Sequence, residues 1–174
     1  MKKVEPVDEE IRFDKNDIIV SKTDEKGRIE YANDVFCRVS EMPTKDVIGQ
    51  PHSIIRHPDM PRSVFKLLWD YVQSGKEIFA YVKNMSATGK YYWVIAHVTP
   101  SRDADGNITG FHSNRRVPSR KGVSDIEPLY QELIEEERRH ANRKDGLAAG
   151  VKLLEDKLAA MGKTYEEFIW ATGE

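Results

Sequence analysis

The chain has a single cysteine, Cys37, among its 174 residues, which excludes an internal disulfide and any multi-cysteine zinc centre. Long apolar stretches are missing as well. The longest uninterrupted run, Tyr91 to Ala96, is six residues, against the roughly 20 that a membrane helix needs. The first residues, Met1-Lys2-Lys3-Val4-Glu5-Pro6, turn polar and acidic without the apolar core of a secretory signal. Nor is there an excess of one charge: 27 Lys and Arg stand against 29 Asp and Glu, which argues against general nucleic-acid binding. Enzyme signatures are lacking too. No G-x-S-x-G elbow, P-loop or G-x-G-x-x-G fingerprint occurs, and the five histidines show no H-E-x-x-H spacing. These absences predict a soluble, cytoplasmic, non-enzymatic protein with no catalytic residues, no metal ligands and no direct insertion into a membrane.

What is present is an ordinary globular mixture, 39% apolar and 32% charged. Its character changes near residue 123. Before that point short apolar stretches alternate with turn signals such as Asp24-Glu25-Lys26-Gly27 and Asp103-Ala104-Asp105-Gly106-Asn107. After it, Gly, Pro and aromatics thin out, and Ser124 to Glu174 carries 12 acidic and 7 basic side chains. We divide the chain into an N-terminal cap over 1–16, a central domain over 17–119 and a helical tail over 120–174.

Within the domain, alternation predicts strands over Asp17–Ser21 and Arg28–Tyr31, then over about Glu77–Met85, Tyr91–Ser101 and Ile108–Arg116. Asn33 or Asp34 suits the cap of a short helix. A longer helix over about Arg62–Gln73 places Val64, Leu68 and Val72 on one face, with Phe65 and Trp69 beside it. The order predicts an α+β fold, a five-stranded antiparallel sheet with its helices on one face. In the tail, Ser124-Asp125-Ile126-Glu127 reads as a capping box, with Pro128 early in the helix. Ile126, Leu129, Tyr130, Leu133 and Ile134 form its stripe. A second helix carries Val151, Leu154, Leu158 and Met161, and Thr164-Tyr165-Glu166-Glu167 caps a last one.

The stretch richest in chemistry is Gln50-Pro51-His52-Ser53-Ile54-Ile55-Arg56-His57-Pro58-Asp59-Met60-Pro61. Two imidazoles, a guanidinium and a carboxylate sit in a segment stiffened by three prolines. Arg56 offers a planar fork of donors, and His52 and His57 donate or accept near neutral pH. A structural role weighs equally: Asp59 capping the following helix, with Arg56 as its ion-pair partner. An aromatic cluster, Trp69, Phe79, Tyr81, Tyr91, Tyr92 and Trp93, suits either a core or a flat ligand, with Asn33, Asn84 and Asn114 as polar groups for a heterocycle edge. Cys37, beside Phe36 and Val39, fits an inert buried thiol.

These residues resemble a known family. The element order is similar to a PAS domain. More specifically, Ile48-Gly49-Gln50-Pro51-His52, Arg56-His57-Pro58-Asp59-Met60-Pro61, Phe65, Trp69, Val82-Lys83-Asn84 and Gly89-Lys90-Tyr91-Tyr92-Trp93-Val94 resemble the PAS domain of Aer-type aerotaxis transducers. The likeness runs from about Ile18 to Ser119. It implies non-covalent FAD and a role in energy taxis, reporting redox state or oxygen to a membrane chemoreceptor or other chemotaxis signalling protein. The family's cofactor-holding positions fall on Asn33, Arg56, His57 and Asp59, with His52, Trp69 and Asn84 as further contributors. The chain is expected to be a short form lacking the transducer's membrane anchor and signalling segments. Its tail then serves docking or homodimerisation, and any membrane association runs through a partner. Two other readings stay open: haem in the same pocket with an imidazole as axial ligand, or a cofactor-free PAS interaction module. A flavin–cysteine photoadduct is not expected, because the Asn-Cys-Arg motif of light-sensing relatives is missing.

Overall fold

The computed structural model describes residues 4–174. Five strands, β1 (Ile19–Asp24), β2 (Ile29–Ala32), β3 (Ile78–Met85), β4 (Tyr91–Arg102) and β5 (Ile108–Arg116), form one antiparallel sheet in the order β2-β1-β5-β4-β3. Three helices lie between β2 and β3: α1 (Asp34–Ser40), α2 (Thr44–Val47) and α3 (Arg62–Gln73). A 3-10 turn spans His52–Ile55, and α4 (Arg120–Arg138), α5 (Arg143–Met161) and α6 (Tyr165–Ala171) complete the chain. The expected α+β architecture is therefore present.

The β1–β2 hairpin turns because Asp24 Oδ1 accepts from Lys26 N and Arg28 N while Gly27 takes φ +78°. The turn falls at the expected Asp24-Glu25-Lys26-Gly27, while β1 starts two residues later than expected and runs on to Asp24. Asn33 caps α1, its Oδ1 accepting from Phe36 N at 3.0 Å. The apolar parity of the strands puts Ile19, Ile78, Ala80, Tyr92, Val94 and Ala96 in a buried layer with Phe36, Val47, Ile55, Val64 and Val72 from the helical side. Residues before β1 extend the sheet: Glu10 bridges Tyr91 in parallel, and Phe13 meets Tyr92 edge-on.

The tail differs from expectation at its start. Helix α4 begins at Arg120, capped by Ser119, whose Oγ accepts from Gly122 N at 3.0 Å. The Ser124 box is therefore inside the helix, and so is Pro128. Proline inside a helix forgoes one backbone bond; burial of Val123, Ile126, Tyr130, Leu133 and Ile134 compensates. In α5 the buried face is Gly146, Gly150 and Leu154, and the expected stripe residue Met161 is exposed. The Thr164 capping box forms as expected.

The tail covers the open edge of β3. Tyr130 Oη donates to Tyr81 O at 2.5 Å, and Tyr165 Oη donates to Phe79 O at 3.0 Å. These hydroxyls satisfy carbonyls that an edge strand leaves free for intermolecular pairing. Further along, α4 and α5 close on α3. Glu137, 7% exposed, accepts from Arg62 N, Ser63 N and Ser63 Oγ at 3.1, 2.8 and 2.8 Å. Helix α3 has no side-chain cap of its own, since Pro61 holds the N-cap position. The carboxylate of α4 thus supplies both the hydrogen bonds and the negative charge that a helix N-terminus favours. Asp59, the cap expected from sequence, does not reach it.

Candidate functional site

Between the inner face of the sheet and α3 lies a cavity of about 220 Å³. Strand parity selects its walls: Ser21 and Thr23 from β1, Val82 and Asn84 from β3, Ala96 and Val98 from β4, and Phe111, Ser113 and Arg115 from β5. The helical side contributes Phe65, Leu68, Trp69 and Val72, and the proline-rich segment adds Pro51, His52, Ser53, Ile55 and Arg56. Lys26 and Gly27 come from the β1–β2 turn. Trp69 meets Phe111 edge-on at 5.2 Å, and a Cβ at Gly27 would stand 3.0 Å from the Trp69 ring. Glycine there allows the turn to close over the indole as well as adopt its positive φ.

Four of the seven residues expected to hold the cofactor therefore meet: His52, Arg56, Trp69 and Asn84. Arg56 stacks its guanidinium 3.7 Å from the centroid of Phe65, with its Nε buried and unpartnered. It makes no ion pair with Asp59, so the expected structural pairing is not formed. The other three lie outside the lining. Asn33 is spent on structure: besides capping α1, its Oδ1 accepts from Val20 N and its Nδ2 donates to Ile18 O. His57, 3% exposed, faces the β3 edge rather than the cavity. Its backbone N donates to Lys83 O at 3.4 Å, its Nδ1 accepts from Asp59 N at 3.0 Å, and its ring meets Tyr91. Neighbouring residues of an extended segment point to opposite sides, so a chain that turns Arg56 inward turns His57 outward. Asp59 is half-exposed, 3.7 Å from Lys83 Nζ and 3.8 Å from His57 Nδ1. Asn114 lies on the other face of β5, off the cavity.

The groups that sequence reading missed are Ser21, Ser113 and above all Arg115, which is 2% exposed. The available signal was parity with Phe111, since Phe111, Ser113 and Arg115 share one face of β5. Arg115 Nη1 donates to His52 Nε2 at 2.9 Å, and Nη2 donates to Ser21 Oγ at 2.6 Å. Its Nε is buried without a partner. Burial, with the Arg115 charge beside it, holds His52 unprotonated down to a pKa of about 3. Burial also lowers Arg115 to about 10 and shifts Arg56 downward. Among the described residues, no Asp or Glu lines the cavity. Chemically it is a slot with flat apolar walls whose buried polar atoms are mostly donors.

Residues 13–113 match the family model described as PAS fold, and the chain belongs to the PAS family. It is 36% identical over 115 residues to the aerotaxis receptor of Escherichia coli (strain K12), a stretch covering 66% of this chain and 22% of the receptor. Phototropin-1A of Oryza sativa subsp. japonica is 24% identical over 100 residues, 58% of this chain and 11% of the phototropin. The chain thus spans only about a fifth of the receptor and a tenth of the phototropin. Among solved structures, a light-oxygen-voltage domain from work with a flavin analogue superposes with a TM-score of 0.54 at 16% identity, covering 69% of this chain and 87% of that one. The light-state LOV domain of Aureochrome1 gives 0.54 at 19% identity, over 70% and 92%. At such identities the likeness is one of fold. No helix among the described residues is long and apolar enough to cross a membrane.

Proposed function

We propose that this chain is a non-enzymatic PAS redox sensor that holds FAD non-covalently in the sheet–α3 cavity and reports redox state or oxygen to a chemotaxis signalling partner. The observation that carries this reading is the cavity itself, in which His52, Arg56, Trp69 and Asn84 converge in a domain 36% identical to an aerotaxis receptor. The residues fit a flavin. Phe65, Trp69 and Phe111 offer flat apolar surface, Asn84 an amide, and Arg56 and Arg115 buried nitrogens without partners. Bound FAD would supply reversible electron uptake with a change in ring protonation. Arg56 and Trp69 would hold the ring; Asn33, His57 and Asp59 would act at one remove, bracing β1, α1 and the proline-rich segment. Changes at Trp69 or Phe65 would pass along α3 to Glu137 and the tail, where a chemoreceptor or related protein would dock. Such a partner could sit at a membrane while this chain stays cytoplasmic.

Haem is supported less well. His52 is the one imidazole in the described lining, and its Nε2 accepts from Arg115 Nη1 and lies 3.0 Å from Ser21 Oγ, which leaves no free axial ligand. Cys37 lies outside the lining, so a cysteine adduct has no support. The test is the absorption spectrum of protein purified without added cofactor: blue and near-ultraviolet flavin bands are expected, and Arg56→Ala should lower flavin occupancy roughly tenfold while the circular dichroism stays unchanged. A Soret band, or a colourless protein that refuses FAD, would overturn the reading.

A further inference from the structure

The strand parity that sends Ser21, Ala96 and Ser113 into the cavity sends their neighbours to the opposite, outer face of the sheet. Register sets two rows across that face, Tyr31–Lys22–His112–Thr99 and Val20–Asn114–His97–Phe79. The tail joins the second row at its β3 end. There Trp170 packs 5.0 Å from Phe79, which stacks on His97 at 4.1 Å. Trp170 is nevertheless 63% exposed, and Tyr31, at the β2 end of the first row, is 48% exposed. Among the described residues these are the two exposed aromatic rings of Phe, Tyr and Trp. Charge divides the face along the same direction. Lys22 is exposed on β1, whereas Glu77, whose Oε2 lies 2.8 Å from His97 Nε2, stands on the β3 side with the acidic tail. One end of the face thus offers an aromatic ring and a cation, the other an aromatic ring and a carboxylate.

We propose that this face binds a second copy of the chain, sheet against sheet, about a twofold axis running along the central strand β5. Such an axis reverses the partner's strand order across the contact. Tyr31 then meets the partner's Trp170 and Lys22 meets the partner's Glu77, and symmetry makes each contact twice. Four strand spacings separate β2 from β3, so the two aromatic contacts flank a strip about 19 Å wide. Half-buried Val20 and Ile95 lie within that strip. Tyr and Trp are side chains that anchor interfaces, and opposed charges fix the register in which they close. A second copy is assigned because the face is complementary to itself, in charge and in the placing of its two rings.

Analytical ultracentrifugation of the full chain tests the contact. Wild type should sediment as a dimer at about 100 μM. Trp170→Ala and Tyr31→Ala should each weaken the dimer roughly tenfold or more, with the circular dichroism of wild type, because both side chains are exposed. Lys22→Glu and Glu77→Lys should each weaken it alone. An equimolar mixture of those two variants should recover dimer, because both ion pairs of the mixed dimer again join opposite charges. Should Trp170→Ala disturb α6, Tyr31→Ala and the mixed pair carry the test, since they leave the tail untouched. A monomeric wild type would leave the face to a different protein and overturn the proposal. A dimer indifferent to both aromatic substitutions, or a mixture that recovers nothing, would place the contact on another surface and overturn it as well.

Discussion

Two buried charges, one at the start of α3 and one on the cavity face of β5, are treated in opposite ways. Glu137, from the tail, is 7% exposed and accepts from two backbone N–H groups and a serine hydroxyl, with Arg62 Nε 3.4 Å away. Arg115, on the cavity side, is more deeply buried and has only neutral partners and one nitrogen to spare. Buried polar groups are matched almost everywhere in folded proteins. The saturated charge therefore reads as architecture and the unsaturated one as a place kept for something else. The same contrast extends to whole surfaces. The tail matches the free carbonyls of β3 with Tyr130 and Tyr165, while the cavity leaves Arg56 Nε and Arg115 Nε unmatched.

The contrast breaks most easily at Glu137. Glu137→Ala strips the cap from α3 and leaves Arg62 N and Ser63 N buried without acceptors, at an expected cost of about 3 kcal/mol. Urea denaturation measures it, and a loss below about 1 kcal/mol would erase the distinction between the two charges. The next effect is one of pH. His52 is held at about 3 in the folded protein against 6.5 when unfolded, so the unfolded chain binds the extra proton. Its contribution to stability is complete above pH 6.5 and drains away as pH falls toward 3. The downward shifts of His57 and His112, both caused first by burial, add in the same direction. Wild type should lose stability below pH 6.5 more steeply than His52→Gln; equal slopes would mean that His52 is not held neutral beside Arg115. The smallest effect concerns the matched edge. Tyr130→Phe leaves Tyr81 O without its donor and should cost about 1 kcal/mol in thermal unfolding. No change would show that water replaces the hydroxyl there.

Much of the fold was legible because its signals are local. Strand alternation, the Asn33 cap, the α3 stripe from Val64 to Val72 and the Thr164 box each act within a few residues. Misreadings arose where a local signal had a competitor. Ser119 and Ser124 are both plausible caps for α4, and the choice fell to Ser119 because Val123 gains burial once the helix starts at Arg120. In α5 a stripe ending at Met161 competed with the glycine face. The glycine face prevails because side chains at Gly146 and Gly150 would meet Glu137. The site was half legible. The proline-rich segment pointed to Arg56 and His52, but only the alternation within it shows that His57 and Asp59 face the β3 edge instead.

By itself the sequence determined the kinds of elements, their order, and a chemically unusual segment braced by prolines, because these depend on neighbours along the chain. Tertiary structure alone decided which charges are answered. Glu137 reaches the start of α3 across some seventy residues, and Arg115 meets His52 across sixty-three. Hydrogen bonding and desolvation depend on what lies within a few ångströms in space, and separation along the chain does not encode that distance.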